Sequence, residues 1–300
     1  MARKRVGQLG LLDGEMARRG GRGPDRLTRM ATLIDWGEIS QVLAPIEPKA
    51  TGKGKAGWPS LVLFRALLLQ RWYDLSDEAL EEALADRLSF QRFCGLSVSD
   101  DIPDHSTFWR FRERLAKEGL VEPLFAEMQR QLEGHGVLVK RGTLIDATLM
   151  QAAARRPRMQ EEKVSKTDPD ARFGTNNERG RFEFGYKAHI GMDAGSGLVR
   201  SQVLTPANVQ EVTQAAALIT GDEAEVLADR GYDARALHTH LDQRGIADGI
   251  MRRGQRGQPL SPEDVARNHE IAPRRRVVEK VFGTLKRIYR LRRLPYFNAA

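Results

Sequence analysis

The chain has 300 residues, 41% of them hydrophobic and 29% charged, with a formal net charge of +8 and a pI near 9.8. That is enough apolar material for two ordinary domains at roughly 100–200 residues each, and the basic balance makes nucleic acid the leading partner. A single cysteine, Cys94, excludes an internal disulfide and suits a reducing cytosol. The longest apolar run, Leu61 to Leu69, is broken by Arg65 and is far shorter than the ~20 residues that span a bilayer. With no apolar secretory segment near the start, a soluble cytoplasmic protein is expected.

Residues 1–32 are rich in Arg and Gly, and Pro45 and Pro48 mark a Gly- and Lys-rich stretch at 44–57. Residues 1–57 are therefore expected to be a mobile basic segment and linker. From Trp58 the pattern is helical: Leu61, Phe64, Leu67 and Leu68, then Leu80, Ala83 and Leu84, then Leu88 and Phe93 recur at helical spacing. Cys94 lies among these side chains and fits a core position. Ser76 before Asp77 and Glu78 reads as an N-cap with an acidic first turn. Asp104-His105-Ser106-Thr107 starts another helix, and a further one follows Pro123. Residues 58–134 thus form an all-helical unit. Trp109, Arg110, Arg112 and Arg114 on its capped helix suit either a groove-facing DNA-reading element, as in a helix-turn-helix, or a dimer contact.

Beyond Gly136 the period changes. A strand is expected over 137–149, a polar loop over 151–181, and two strands, 184–193 and 198–204, around a Gly-rich turn. A helix (209–220), a strand (225–228), a helix (234–244), a strand (246–251), a basic loop and a last helix (275–289) complete the chain. A hairpin-led set of three strands followed by αβ alternation matches a ribonuclease H-like fold, an α/β mixed five-stranded sheet with helices on both faces, over 135–300.

Asp146 lies inside the apolar strand Thr143-Leu144-Ile145-Asp146-Ala147-Thr148, and Asp229 ends Val226-Leu227-Ala228-Asp229. An ionised aspartate in such a setting is expensive unless paired or metal-bound. In the expected sheet the first and fourth strands are neighbours, so both acids point to one divalent-ion site. A helix cap or a salt bridge to Arg230 is the structural alternative for Asp229. Glu279 on the last helix shares a face with Arg275 and Lys286. It reads either as a third metal ligand beside two phosphate-binding cations or as part of a solvated ion-pair stripe. Arg252, Arg253 and Arg256, Arg274 and Arg276, and Arg287, Arg290, Arg292 and Arg293 form basic clusters suited to phosphate contacts. His105, His189, Tyr186 and Tyr232 read as structural. His238 and His240, two apart on a helix, face different ways and do not form a zinc pair.

The stretches Gly57 to Leu69, Tyr73-Asp74-Leu75-Ser76, Asp86-Arg87-Leu88-Ser89-Phe90, Pro103-Asp104-His105-Ser106-Thr107, Gly185-Tyr186-Lys187-Ala188-His189 and Ala228-Asp229-Arg230-Gly231-Tyr232 occur in this order. With them the chain resembles bacterial insertion-sequence transposases of the DDE class, in the group named after insertion sequence 5. The resemblance implies that Asp146, Asp229 and Glu279 are a catalytic triad holding two Mg²⁺ ions, with Mn²⁺ able to substitute, and that Arg275 and Lys286 belong to the signature around the last acid. It implies transposon-end and target DNA as partners, a homodimer on DNA, and a place at the bacterial nucleoid. It departs from the pattern at Ala272, where related families carry a tyrosine, and in ending at Ala300, where similar chains continue with another helix. A truncated end-binding regulator and a nuclease that cuts without joining are the alternative functions.

Overall fold

The computed structural model describes residues 4–8, 10, 14, 25–49, 56–157, 164–176, 181–255 and 257–294. Arg256, residues 50–55 of the expected linker and the Tyr296-Phe297-Asn298 stretch lie outside them. The chain divides into two compact units, residues 1–134 and 135–300. Among the described residues no helix is long and apolar enough to cross a membrane.

The first unit is helical: α1 (Arg26–Leu33), α2 (Trp36–Leu43), α3 (Ser60–Tyr73), α4 (Asp77–Asp86), α5 (Leu88–Cys94), α6 (His105–Lys117) and α7 (Val121–Gly134). Four of them begin at side-chain caps, where Asp25, Asp35, Ser76 and Asp104 each accept a first-turn N–H that the helix itself leaves unpaired. The expectation of a mobile segment through residue 57 is corrected here. Leu27, Ile39, Leu43 and Ile46 are buried in the same core as Leu69, Leu80, Phe93 and Phe108. Their spacing was masked by the flanking Arg, Gly and Pro residues. Phe93 anchors the cluster, taking the edges of Trp36 and Trp72 at ring-centroid distances of 5.7 and 5.4 Å. Cys94 is buried beside it, and burial pushes its thiol well above the usual range, which keeps it protonated and inert.

The second unit holds a six-stranded sheet: β1 (Thr143–Gln151), β2 (Arg172–Asn176), β3 (Arg181–Asp193), β4 (Val199–Pro206), β5 (Glu225–Ala228) and β6 (Ala247–Ile250). β1 pairs antiparallel with β3, and β3 antiparallel with β4. On its other side β1 pairs parallel with β5, and β5 parallel with β6. That is the ribonuclease H-like order expected, with one correction. The sixth strand, β2, pairs with β3 and comes from the stretch expected to be loop. Buried Ala152, Ala154 and Ala171 pack there with Phe184 and Tyr186, a core too poor in large side chains to show in the hydrophobic pattern.

The sheet's two faces are covered separately. Ile145, Val226, Ala228 and Ile250 pack with Leu218 of α8 (Ala215–Leu218) and with Leu237 and Leu241 of α9 (Arg235–Gln243). Leu144, Ile190, Met192 and Leu227 pack with Ile271 and Val278 of α10 (Pro262–Arg287). The helix expected over 209–220 is reduced to a 3₁₀ turn, Glu211–Gln214, and the single turn of α8. The last helix is longer than expected. It begins at Ser261, whose hydroxyl caps Asp264, with Pro262 in the first turn where its missing N–H is harmless. It continues through Pro273, the residue that made 262–274 look like loop.

One cation assigned to DNA from the sequence is committed to the fold. Arg112 makes a two-pronged bond to Asp77, at 2.7 and 2.5 Å, and also reaches Gln70. Its side chain is only 18% exposed, so the groove-facing role expected for Arg112 is corrected to an internal brace between α6 and α4. Burial pushes the Asp77 carboxyl up, but hydrogen bonds from Arg112 and Gln70 outweigh it and hold the carboxyl below its ordinary value. The pair therefore stabilises the fold above the unfolded carboxylate value of about 3.9 and stops doing so as pH falls through the lower folded value. Arg112→Ala is expected to destabilise the helical unit by about 1–3 kcal/mol in urea unfolding at pH 7, because it strands Asp77. The difference from wild type should shrink near pH 2; an equal difference at both pH values excludes the ion pair as its source.

Candidate active site

The site is built by strand register. β1 and β5 run parallel with Thr143 beside Val226 and Leu144 beside Leu227. Two places further on stand Asp146, within β1, and Asp229, the first residue after β5, so that register carried forward brings the two aspartates near each other at the carboxyl end of β5. They share a face with Leu144 and Leu227, the face that α10 covers. From that helix Arg275 reaches Asp146, its guanidinium donating to Oδ2 at 3.1 Å, while the Ala147 N–H donates to Oδ1 at 2.7 Å. Asp229 Oδ1 accepts the Gly231 N–H at 2.7 Å and so caps the 3₁₀ turn Arg230–Tyr232. A Cβ at residue 231 would lie 2.9 Å from that oxygen, so a larger residue there would have to displace the Asp229 carboxylate.

The electrostatics are those of crowded acid. Burial pushes the Asp146 carboxyl up to about 7; Arg275 and the Ala147 N–H pull against it, and the negative charges of Asp229 and Glu211 add to the rise. Glu211 was missed from the sequence. It opens the 3₁₀ turn after β4 and pairs with Lys187 of β3 at 3.3 Å. The short polar turn after Thr205-Pro206-Ala207-Asn208 gave no periodic pattern, and only its position after the third core strand marked it. The donor chemistry fits a hard divalent cation: two carboxylates with excess negative charge, offset here by one guanidinium.

The third acid is placed differently from expectation. Glu279 lies one turn beyond Arg275 on α10 and is exposed. Among the described residues no three acidic, histidine or cysteine side chains are gathered closely enough to hold a metal. Val278 fixes this stretch of the helix against the sheet, and it is Arg275, not Glu279, that meets Asp146. In this structure Arg275 occupies the place beside Asp146, and Glu279 stands one turn along the same helix, exposed.

The other cations divide. Arg276, Arg253, Arg287 and Arg290 are exposed, and Lys286 is half-buried. Arg287 also donates to the Gly283 carbonyl at 3.3 Å. Arg274 is drawn to Glu225 at the edge of β5. Arg252 belongs to an internal network, bonded to Asp248 at 2.8 Å and to His238, whose ring also meets Asp233 at 2.8 Å and Asp248 at 2.9 Å. Arg252 thus ties β6 to α9, and its expected place on DNA is corrected for that reason. On α6, Trp109, Arg110 and Arg114 are exposed, and Arg110 is held by the Ser106 hydroxyl. His189 is buried and kept neutral, its ionisation pushed down to about 4 by burial and Lys187. His105 pairs with Glu81 at 2.9 Å.

A sheet of this order, with one aspartate on β1 and another directly after the neighbouring β5, defines a protein of the ribonuclease H-like class. Residues 138–300 match the profile described as "Transposase DDE domain" and residues 19–114 the one described as "Transposase domain (DUF772)". The chain belongs to the DDE transposase family. Among solved structures, the Mos1 transposase paired-end complex with left transposon end is 10% identical, with a TM-score of 0.22, over 77% of this chain and 96% of that one. The Mos1 strand transfer complex is 11% identical, with a TM-score of 0.22, over 90% and 98%. Likeness at that level carries no argument about this chain.

Asp146 is a charge held at a loss. Its folded carboxyl binds a proton more tightly than an unfolded one, so stability falls as pH rises from about 3.9 towards 7 and then levels. Its side chain keeps 20% exposure, and solvent reduces the penalty to roughly 1–2 kcal/mol. Asp146→Asn is expected to raise the melting temperature by a few degrees at pH 8 in a chelator, and by little at pH 4. A lower melting temperature at pH 8 would mean that the bond to Arg275 outweighs the burial.

Proposed function

We propose that this chain is a metal-dependent DNA transposase that cleaves at insertion-sequence ends and transfers the freed strands into target DNA. The observation that carries the reading is the register of β1 against β5, which sets Asp146 beside Asp229. Asp146 and Asp229 hold the divalent ions, Mg²⁺ with Mn²⁺ as substitute, and Glu279 completes the set. Such ions, when bound, generate the attacking oxygen and stabilise the leaving one. Asp146, on the strand between β3 and β5, would be the carboxylate that takes part in holding both ions. Arg275, bonded to Asp146 in this structure, exchanges that carboxylate for a DNA phosphate, a partner that likewise accepts two of its N–H groups. Glu279, one helical turn away on the same face, then has the free approach that the third ligand requires. Gly231 keeps Asp229 anchored through its N–H, leaving the other carboxylate oxygen for the ion.

Exposed Arg276, Arg253, Arg287 and Arg290, with Lys286, follow the phosphates, and Trp109, Arg110 and Arg114 of the helical unit contact the element's end. The enzyme works on DNA as a homodimer in the bacterial cytoplasm, at the nucleoid. The Arg275–Asp146 bond favours one other reading, an end-binding regulator whose acids stay locked.

The deciding experiment incubates wild type, Asp146→Ala and Glu279→Gln with native flanking DNA and Mg²⁺, scoring nicking and strand transfer. Wild type is expected to nick and join, and both variants to lose more than about a hundredfold while still binding end DNA. End binding without nicking by wild type supports the regulator, and nicking without joining supports a simple nuclease. On the DNA side, Arg110→Ala should weaken binding to all sequences alike and lower the salt slope by about one. Arg112→Ala, if still folded, should leave that slope unchanged.

A further inference from the structure

The helical unit contains a cavity of about 830 Å³, within the size range of ligand and cofactor sites. One wall is a face of α6 that carries Thr107, Arg110, Phe111 and Arg114 at helical spacing. Residues 45–49 and 56–58, with Ser60 and Leu63 of α3, supply the rest of the lining. The lining divides by chemistry. Its deep part is apolar: Ile46, Leu63 and Phe111 are buried, and Trp58 is half-buried. Lys4, paired with Asp101, stands over one face of the Trp58 ring at 4.2 Å and steadies it. The exposed part is cationic, made of Lys49, Arg110 and Arg114. Both acids of the lining are engaged in starting helices, Glu47 accepting the Ser60 N–H at 2.9 Å and Asp104 the Thr107 N–H at 2.7 Å. Arg110 is held by the Ser106 hydroxyl, whereas the Lys49 and Arg114 side chains make no hydrogen bond or ion pair among the described residues.

A helix reads a major groove, about 12 Å wide, by laying a bare face into it. The face of α6 with Arg110 and Arg114 is not bare, because residues 45–49 and 56–58 line the same cavity. A duplex is too broad for a space of this volume, and one unstacked nucleotide fits it. Aromatic and apolar walls receive a base, and cations at the mouth receive its phosphates. We propose that this cleft holds an unpaired nucleotide of the DNA end, its base against Trp58 and the apolar wall and its phosphates on Lys49, Arg110 and Arg114. A cut end that frays supplies such nucleotides. The proposal rests on the transposase reading and deepens it: the helical unit takes hold of strands that have come apart, not of intact duplex alone.

The test titrates the full chain, without divalent metal, with a short labelled oligothymidylate and with a labelled blunt duplex of native end sequence. Lys49→Glu and Arg114→Glu are each expected to weaken oligothymidylate binding about tenfold, and duplex binding by less. Lys117→Glu makes the same charge change on an exposed part of α6 outside the cavity and is expected to cost less than about twofold. Equal losses in all three variants overturn the proposal, because they reflect net charge alone. A larger loss on the duplex than on the oligothymidylate overturns it, and so does wild type that binds no oligothymidylate. A changed sedimenting mass in either cleft variant would give the cleft to a second copy of the chain, with the same consequence. If a charge reversal unfolds the unit in thermal melting, Lys49→Gln and Arg114→Gln replace it, with the same ranking expected. Base contact is read from tryptophan emission, which the oligothymidylate should quench in wild type and Trp109→Phe and far less in Trp58→Phe. The reverse pattern places the base on the outer side of α6 and overturns the cleft. Nicking in Mg²⁺ separates the two levels of the argument. A chain that nicks and joins but does not bind the oligothymidylate loses only the cleft, and one that binds it there without nicking loses only the catalytic reading.

Discussion

Two acids forced together by the parallel pairing of two strands are the constraint on which the second unit turns. β1 and β5 must lie side by side to bury Leu144, Ile145, Val226 and Leu227, and that pairing leaves no choice about Asp146 and Asp229. Burial, with a smaller push from the charges of Asp229 and Glu211, raises the Asp146 carboxyl to about 7 even with Arg275 bound to it. The sheet therefore carries a costly acid at its carboxyl end, offset here by a guanidinium.

Helix α10 serves both sides of this balance. Ile271 and Val278 seat it on the sheet, with Arg275 between them and Glu279 directly after Val278. A single packed helix thus presents the cation that neutralises the site and the acid proposed to extend it. The helical unit is organised on different terms. Its large aromatic core and its capped helices are self-sufficient, and its strongest ion pair, Arg112 with Asp77, braces the interior instead of serving the surface.

Much of this was legible from periodicity and chemistry. β5 coincides with the strand read from Glu225 to Ala228, and α9 and β6 fall within a residue or two of expectation. These are short apolar runs between clear turn residues, where local pattern and tertiary burial agree. The misreadings share a cause. α1 and α2 were hidden by the glycines and prolines around them, β2 by the polarity of its neighbours, and the first half of α10 by Pro273. In each case the surrounding composition spoke against an element that tertiary packing stabilises anyway. Charges were misassigned for a related reason. Arg112 and Arg252 are indistinguishable from surface cations in sequence, since their partners Asp77 and Asp248 are recognised only once the helices and strands are in place.

By itself, the sequence determined the plan of a helical unit followed by a mixed sheet, and it singled out the two aspartates, because an acid embedded in an apolar strand announces a cost that needs a reason. The tertiary structure decided who stands next to whom. It brought the charge of Glu211 to bear on Asp146, gave Asp146 to Arg275, and left Glu279 exposed one turn further along the helix. Those outcomes depend on helix rotation and on distances between residues remote in the chain, and no local spacing encodes either.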